Sequence, residues 1–258
     1  MVPAEAVPVD SAPEVVRSSA RSTLGTRRRR LLVTGCGRSG TKYTSFVLRR
    51  LGLDVPHERL GADGLSSWCL AVEAGSVPWG PPGTGLAFDH VFHQIRHPLA
   101  VIASCATFTE SSWSFIREHV PLRAGESPLV QGARYWYHWN LHAETISTWR
   151  YRVEELPRVF ERFCAILGVA SDPRALEQVT TDVNTRRRGR ALHLYEELSE
   201  RLGIDQRRFL RDRLGRAEVN RAAVSWELLA HLEPELCAAV QQKAYEYGYS
   251  PDEPAVTA

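Results

Sequence analysis

Apolar positions along the chain fall into two kinds of stretch: short unbroken runs, and longer segments with helical spacing. Arg30 to Thr34 is a short branched run punctuated by Gly35, which predicts a buried strand. From Thr41, the positions Tyr43, Phe46, Val47 and Leu51 recur on one helical face, and Gly52 stops it. Leu53 to Val55 predicts a second short strand, closing at Pro56-His57-Glu58. Gly75 to Gly85, with three prolines and four glycines, reads as a long irregular loop. Phe88 to Ile95 carries few charges, as expected of a central strand, and Pro98 opens a helix at its first position that runs to about Phe108. Gln131 to about Thr148 predicts an aromatic-rich helix, followed by a strand at Trp149 to Val153. A helix with Val159, Phe160, Phe163, Cys164 and Leu167 on one face is capped by Gly168. Leu192 to Leu214 reads as a charged, exposed helix. Trp226 to Tyr247 reads as a last helix, interrupted by Pro234 and ended by Gly248. Strands alternating with helices predict an α/β fold: a single domain with a central parallel sheet flanked by helices.

Composition refines this outline only slightly. With 258 residues the chain is long enough for one domain with a full core. Residues 1–26 are rich in Pro, Ala, Ser and Val without a period and read as a disordered tail; 27–250 forms the α/β domain, and 251–258 a C-terminal tail. A net charge of +2 gives no reason to expect nucleic-acid binding. No apolar stretch reaches the length of a membrane span. The five cysteines form no C-x-x-C pair and no zinc spacing, so reduced thiols in a cytoplasmic protein are expected, with no metal site. Oligomeric state is not readable.

Two segments carry the chemistry. Leu31 to Val33 breaks into Gly35-Cys36-Gly37-Arg38-Ser39-Gly40-Thr41-Lys42, a glycine-rich turn that opens a helix. Such a turn points backbone N–H groups and a helix dipole at one spot, which suits a phosphate or sulfate. Lys42 is one of only two lysines in the chain, the other being Lys243. The spacing of Gly35 and Gly40 matches a nucleotidase P-loop, but Thr41 precedes Lys42 instead of following it. The second segment ends the Phe88 to Ile95 run on Arg96 and reaches Ser104 eight residues later. A magnesium-dependent phosphoryl transferase needs an acid at such a strand end, whereas Arg96 attracts a second anion.

Gly37-Arg38-Ser39-Gly40-Thr41 and Arg96-His97-Pro98-x5-Ser104 together resemble the two nucleotide signatures of sulfotransferases that use 3′-phosphoadenosine 5′-phosphosulfate. The resemblance implies a P-loop-like sulfotransferase fold over about residues 30–250. It implies that Gly37, Arg38, Ser39, Gly40, Thr41 and Lys42 bind the 5′-phosphosulfate, and that Arg96 and Ser104 bind the 3′-phosphate. Arg187-Arg188-Gly189 is similar to the family's third, Arg-Lys-Gly element, although Ala191-Leu192-His193 stands where Gly-Asp-Trp often follows. Tyr151 to Leu156 is similar to its strand-to-helix junction.

Sulfuryl transfer to a hydroxyl or amine needs a base but no metal, and Arg38 and Lys42 would offset charge on the transferring group. Glu58 is the favoured base, at the end of the second expected strand, where parallel sheets place their ligands; His57 beside it is the alternative. On a strand only one of these neighbours would face the acceptor. His93 reads as a core histidine, and Trp136 and Trp139 as packing aromatics. Trp68, Trp79 and Trp113 are candidates to line an acceptor pocket for a small molecule or carbohydrate. Two rival functions stay open: a P-loop kinase or nucleotidase using ATP and magnesium, and a catalytically silent nucleotide-binding protein.

Overall fold

The computed structural model describes residues 29–81, 84–177 and 224–250. The expected tails, the helix at 192–214 and the basic run with Arg187, Arg188 and Gly189 lie outside the described residues. Four strands form one parallel sheet: β1 (Arg29–Thr34), β2 (Gly64–Ser66), β3 (Phe88–Ile95) and β4 (Trp149–Arg152), in the order β2-β1-β3-β4. Helices cover both faces, as the alternating pattern requires.

On one face, Leu31 and Val33 of β1, Phe92 of β3 and Tyr151 of β4 pack against α1 (Thr41–Arg50) and α5 (Leu156–Leu167). The opposite face, with Ile95, packs against α2 (Pro98–Cys105), α4 (Pro128–Ile146) and the C-terminal pair α7 (Trp226–Leu232) and α8 (Pro234–Glu246). A short α3 (Glu110–His119) and a single turn α6 (Arg174–Glu177) complete the described helices. The chain leaves β1 toward β2 on one side and returns to β3 on the other. The carboxyl ends of β1 and β3 are therefore the topological switch point, where open parallel sheets leave a crevice.

Two sequence expectations need correction, and one helix carries no expectation. Leu53 to Val55 is not a strand: the Val55 amide folds back onto the Leu53 carbonyl, and both side chains plug the core beside α1. The true β2 lies at Gly64–Ser66, where a Cβ on Gly64 would sit 1.8 Å from the Leu31 carbonyl oxygen, so only glycine lets this strand approach β1. Glycines at 61 and 64 read as turn residues in the sequence, which hid the strand. The helix after Pro98 ends at Cys105, because Thr107 and Phe108 turn back onto the carbonyls of Ser104 and Cys105. Finally, α3 was not foreseen: its serine-rich start is a poor helix former, and burial of Phe115 and Ile116 supplies what local preference does not.

Candidate functional site

The turn from Gly35 to Gly40 fills the switch point and is pinned from both faces of the sheet. Gly35 is obligatory: its φ is 145°, and a Cβ there would lie 2.2 Å from the Gln94 carbonyl oxygen of β3. From the α4 side, the Gly37 N–H donates to the Tyr135 hydroxyl at 2.6 Å, and the Cys36 thiol points at the Trp136 carbonyl. From the α1 side, the Gln94 amide Nε2 donates to the Ser39 carbonyl at 2.6 Å. The Ser39 hydroxyl is buried and donates to the Cys36 carbonyl at 2.6 Å, so it closes the turn instead of facing outward.

Arg38 adopts a left-handed backbone (φ 75°), and Gly40, the residue that caps α1, does the same (φ 93°). No side chain caps α1, and no acid sits in its first turn. Its first amides therefore present the positive end of the helix without a side-chain cap, and Lys42 is exposed beside them.

The second signature meets the first here. Arg96 leaves the end of β3 and its Nη1 donates to the Arg38 carbonyl at 3.1 Å. Arg38 in turn donates to the Thr107 carbonyl at 3.1 Å and lies over the Phe108 ring. Thr107 donates from its amide and its hydroxyl to the Ser104 carbonyl. Arg38, Arg96 and Ser104 are thus joined by an unbroken series of contacts, although 58 residues separate the two arginines in sequence. Arg187, Arg188 and Gly189 fall outside the described residues. His97 is buried, packs against Trp226 and Tyr249, and its amide donates to Glu154 at 3.0 Å.

The carboxylate corner lies on the other side of the turn. Residues 56–58 run beside the end of β2: the Ser66 amide donates to the Pro56 carbonyl and the Glu58 amide to the Ser66 carbonyl. Glu58 has φ 53°, and this left-handed step brings both neighbours to one side, with His57 Nε2 and Glu58 Oε1 3.6 Å apart. The alternation expected of a strand is lost at that step, so the two side chains meet instead of pointing apart. Glu58 accepts the Ser67 hydroxyl at 2.5 Å and the Trp68 amide. Burial nonetheless raises its pKa to about 7, because the side chain is only 16% exposed. His57, 30% exposed, is lowered to about 4 by burial and then by the nearby Lys42 charge. Its Nε2 lies 3.2 Å from the Thr41 hydroxyl, which ties the corner to the anion turn.

Among the tryptophans, Trp68 is buried in an aromatic cluster with Phe108, Phe115, Tyr135 and Trp139, and Trp113 joins its edge. Trp79 differs: it is 45% exposed and its indole N–H donates to Ser112 at 3.3 Å. The next residue, Gly80, lies directly on Glu58; a Cβ there would be 3.5 Å from Oε2. His93 is a core histidine, paired with Asn140 at 2.9 Å, and Trp136 and Trp139 are core residues.

Two residues that shape the site escaped sequence reasoning, Gln94 and Tyr135. Gln94 left one signal, a lone amide inside an otherwise apolar run, which in a sheet interior must find partners. Tyr135 left none, being one aromatic among several on its helix. No model of a protein family matches the chain, and a search of curated proteins finds no match.

Proposed function

We propose that this chain is a cytoplasmic sulfotransferase that moves a sulfuryl group from 3′-phosphoadenosine 5′-phosphosulfate to a hydroxyl or amine of a small-molecule or carbohydrate acceptor. The observation that carries this reading is the meeting of Arg96 with Arg38 at the switch point. Two guanidinium groups, an uncapped helix N-terminus and no acid in its first turn suit a donor with two separate anionic groups. A buried carboxylate with a pKa of about 7 beside the same turn suits a base working near neutral pH.

In this reading, Arg38, Lys42, Thr41 and the first amides of α1 hold the 5′-phosphosulfate, and Arg96 with Ser104 holds the 3′-phosphate. Glu58 takes the acceptor proton as the acceptor oxygen or nitrogen bonds to sulfur. The S–O bond to the 5′-phosphate breaks, and its electron pair stays with the departing phosphate, where Arg38 and Lys42 offset the charge. His57, neutral at physiological pH, hydrogen-bonds Thr41 and keeps a second cation away from Glu58. Trp79 offers the acceptor a flat face next to Glu58.

The test is calorimetric binding of 3′,5′-diphosphoadenosine, ADP, AMP and ATP, with and without magnesium. The expected result is tightest binding of 3′,5′-diphosphoadenosine, independent of magnesium. Preference for ATP with magnesium overturns this reading in favour of a kinase or nucleotidase.

A further inference from the structure

The buried amide of Gln94 has no part in the transfer chemistry, yet its Nε2 donates to the Ser39 carbonyl of the turn. We infer that Gln94, held by Thr44 and Tyr151, is a positioning residue that fixes which way the Ser39–Gly40 peptide faces and so aims the Gly40 N–H at the bound anion. This rests on the reading of the turn as the anion site.

Gln94 is fully buried, and its orientation is forced. The Ser39 carbonyl can only accept, so Nε2 must face it. Oε1 then faces two hydroxyls, Thr44 at 2.6 Å and Tyr151 at 2.7 Å, and both donate to it. Thr44 and Tyr151 are also 3.2 Å from each other, so three buried side chains from β3, α1 and β4 lock one another. Tyr151 stands opposite Gln94 in the β3–β4 register, on the same face of the sheet.

In a trans peptide the C=O and the following N–H point in opposite directions. Drawing the Ser39 carbonyl down onto Gln94 therefore turns the Gly40 N–H outward, away from the core. That N–H has no hydrogen-bond partner among the described residues. Glycine at position 40, at φ 93°, allows the peptide to face either way, so something outside the turn must choose. The reversed orientation would present a carbonyl oxygen to the anion. A Cβ at Gly40 would also crowd Gln94, at 3.0 Å from its Nε2.

The experiment compares the intact chain with Gln94→Met, which keeps the volume but cannot donate, and Tyr151→Phe, which removes one support from Oε1. Val240→Ala, buried in α8 on the opposite face of the sheet from Tyr151, serves as a control for general loss of stability. Pyrophosphate and 3′,5′-diphosphoadenosine are titrated calorimetrically below every variant's melting temperature, and the Gly40 amide is followed by NMR. Gln94→Met is expected to weaken pyrophosphate about tenfold, the scale of one lost hydrogen bond to a charged group. Tyr151→Phe is expected to weaken it about threefold, as a partial loss of the same bond. The Gly40 amide should move on anion addition in the native chain and not in Gln94→Met, while Val240→Ala binds normally. Equal binding by Gln94→Met and the native chain overturns the inference, as does an equal loss in Val240→Ala. If Gln94→Met does not fold, Tyr151→Phe with unchanged affinity and an unchanged Gly40 response overturns it. A native chain that binds pyrophosphate but not 3′,5′-diphosphoadenosine ends the sulfotransferase reading and leaves the role of Gln94 standing. A native chain that binds neither ends both.

Discussion

The anion turn and the carboxylate corner lie side by side but are built in opposite ways. The turn is clamped: Tyr135 holds Gly37, Gln94 holds Ser39, and Arg96 holds the Arg38 carbonyl. The corner is left in tension. Glu58 is buried deeply enough to resist ionisation, even though Ser67 and the Trp68 amide favour its charge, and Oε1 has no hydrogen-bond partner among the described residues. Rigid placement of donors costs nothing further when a charged ligand arrives, which suits the side proposed to hold the donor. A poorly solvated carboxylate is a stronger base than one in water, which suits the side proposed to accept a proton. One region stores order and the other stores chemical potential.

The contrast is broken most sharply at Glu58. Glu58→Gln should lower turnover by about a hundredfold to ten-thousandfold, the range of a lost general base, with donor affinity unchanged. Unaltered turnover in a steady-state assay would shift the role to His57. The pH profile gives the same information: activity should rise as pH increases through about 7, as Glu58 loses its proton. A profile that instead rises through about 4 would point to His57.

On the clamped side, Arg96→Ala should weaken 3′,5′-diphosphoadenosine by about tenfold to a hundredfold, the scale of a lost charge-assisted bond, while AMP is barely affected. Equal losses for both nucleotides in calorimetry would remove Arg96 from the 3′-phosphate.

The contribution of Glu58 to stability should respond to pH in the opposite sense to activity. The folded pKa of Glu58, about 7, lies above its ordinary 4.5, so its contribution is complete below that ordinary value and is lost as pH rises through 7. His57 runs the other way: its folded pKa of about 4 lies below 6.5, so its contribution is complete above 6.5 and lost as pH falls through 4. The two slopes oppose each other over much the same window, so the native chain should show little net pH dependence from this corner. At pH 8, Glu58→Gln should be more stable than the native chain by on the order of 2 kcal/mol, since it removes a buried charge and keeps an acceptor for Ser67. Denaturant unfolding checks this, and a loss of stability would show that the corner is not strained. The smallest effect is expected at Trp79. Trp79→Ala should raise the acceptor KM by about three- to tenfold with kcat kept, the worth of one stacking face; a fall in kcat alone would place Trp79 outside acceptor binding.

Much of the fold was legible because its signals are local. The run Leu31 to Thr34 with Gly35 after it, the helix from Thr41 to its stop at Gly52, the strand Phe88 to Ile95 and the start at Pro98 each depend on period and punctuation within about ten residues. The β2 strand was not legible, since what defines it is the close passage of Gly64 past Leu31, a contact between distant segments. Nor was the left-handed step at Glu58, which overrode the alternation expected around it.

By itself, the sequence determined the α/β class, the glycine-rich turn at the head of α1 and the cation at the end of β3. The tertiary structure alone decided that β1 and β3 are neighbours, and so that Arg96 reaches Arg38. It alone also enlisted Gln94 and Tyr135 under the turn and buried Glu58 enough to change its chemistry. The physical reason is range: propensity and hydrophobic period act along the chain, whereas strand order, desolvation and buried hydrogen bonds exist only once remote segments have closed on one another.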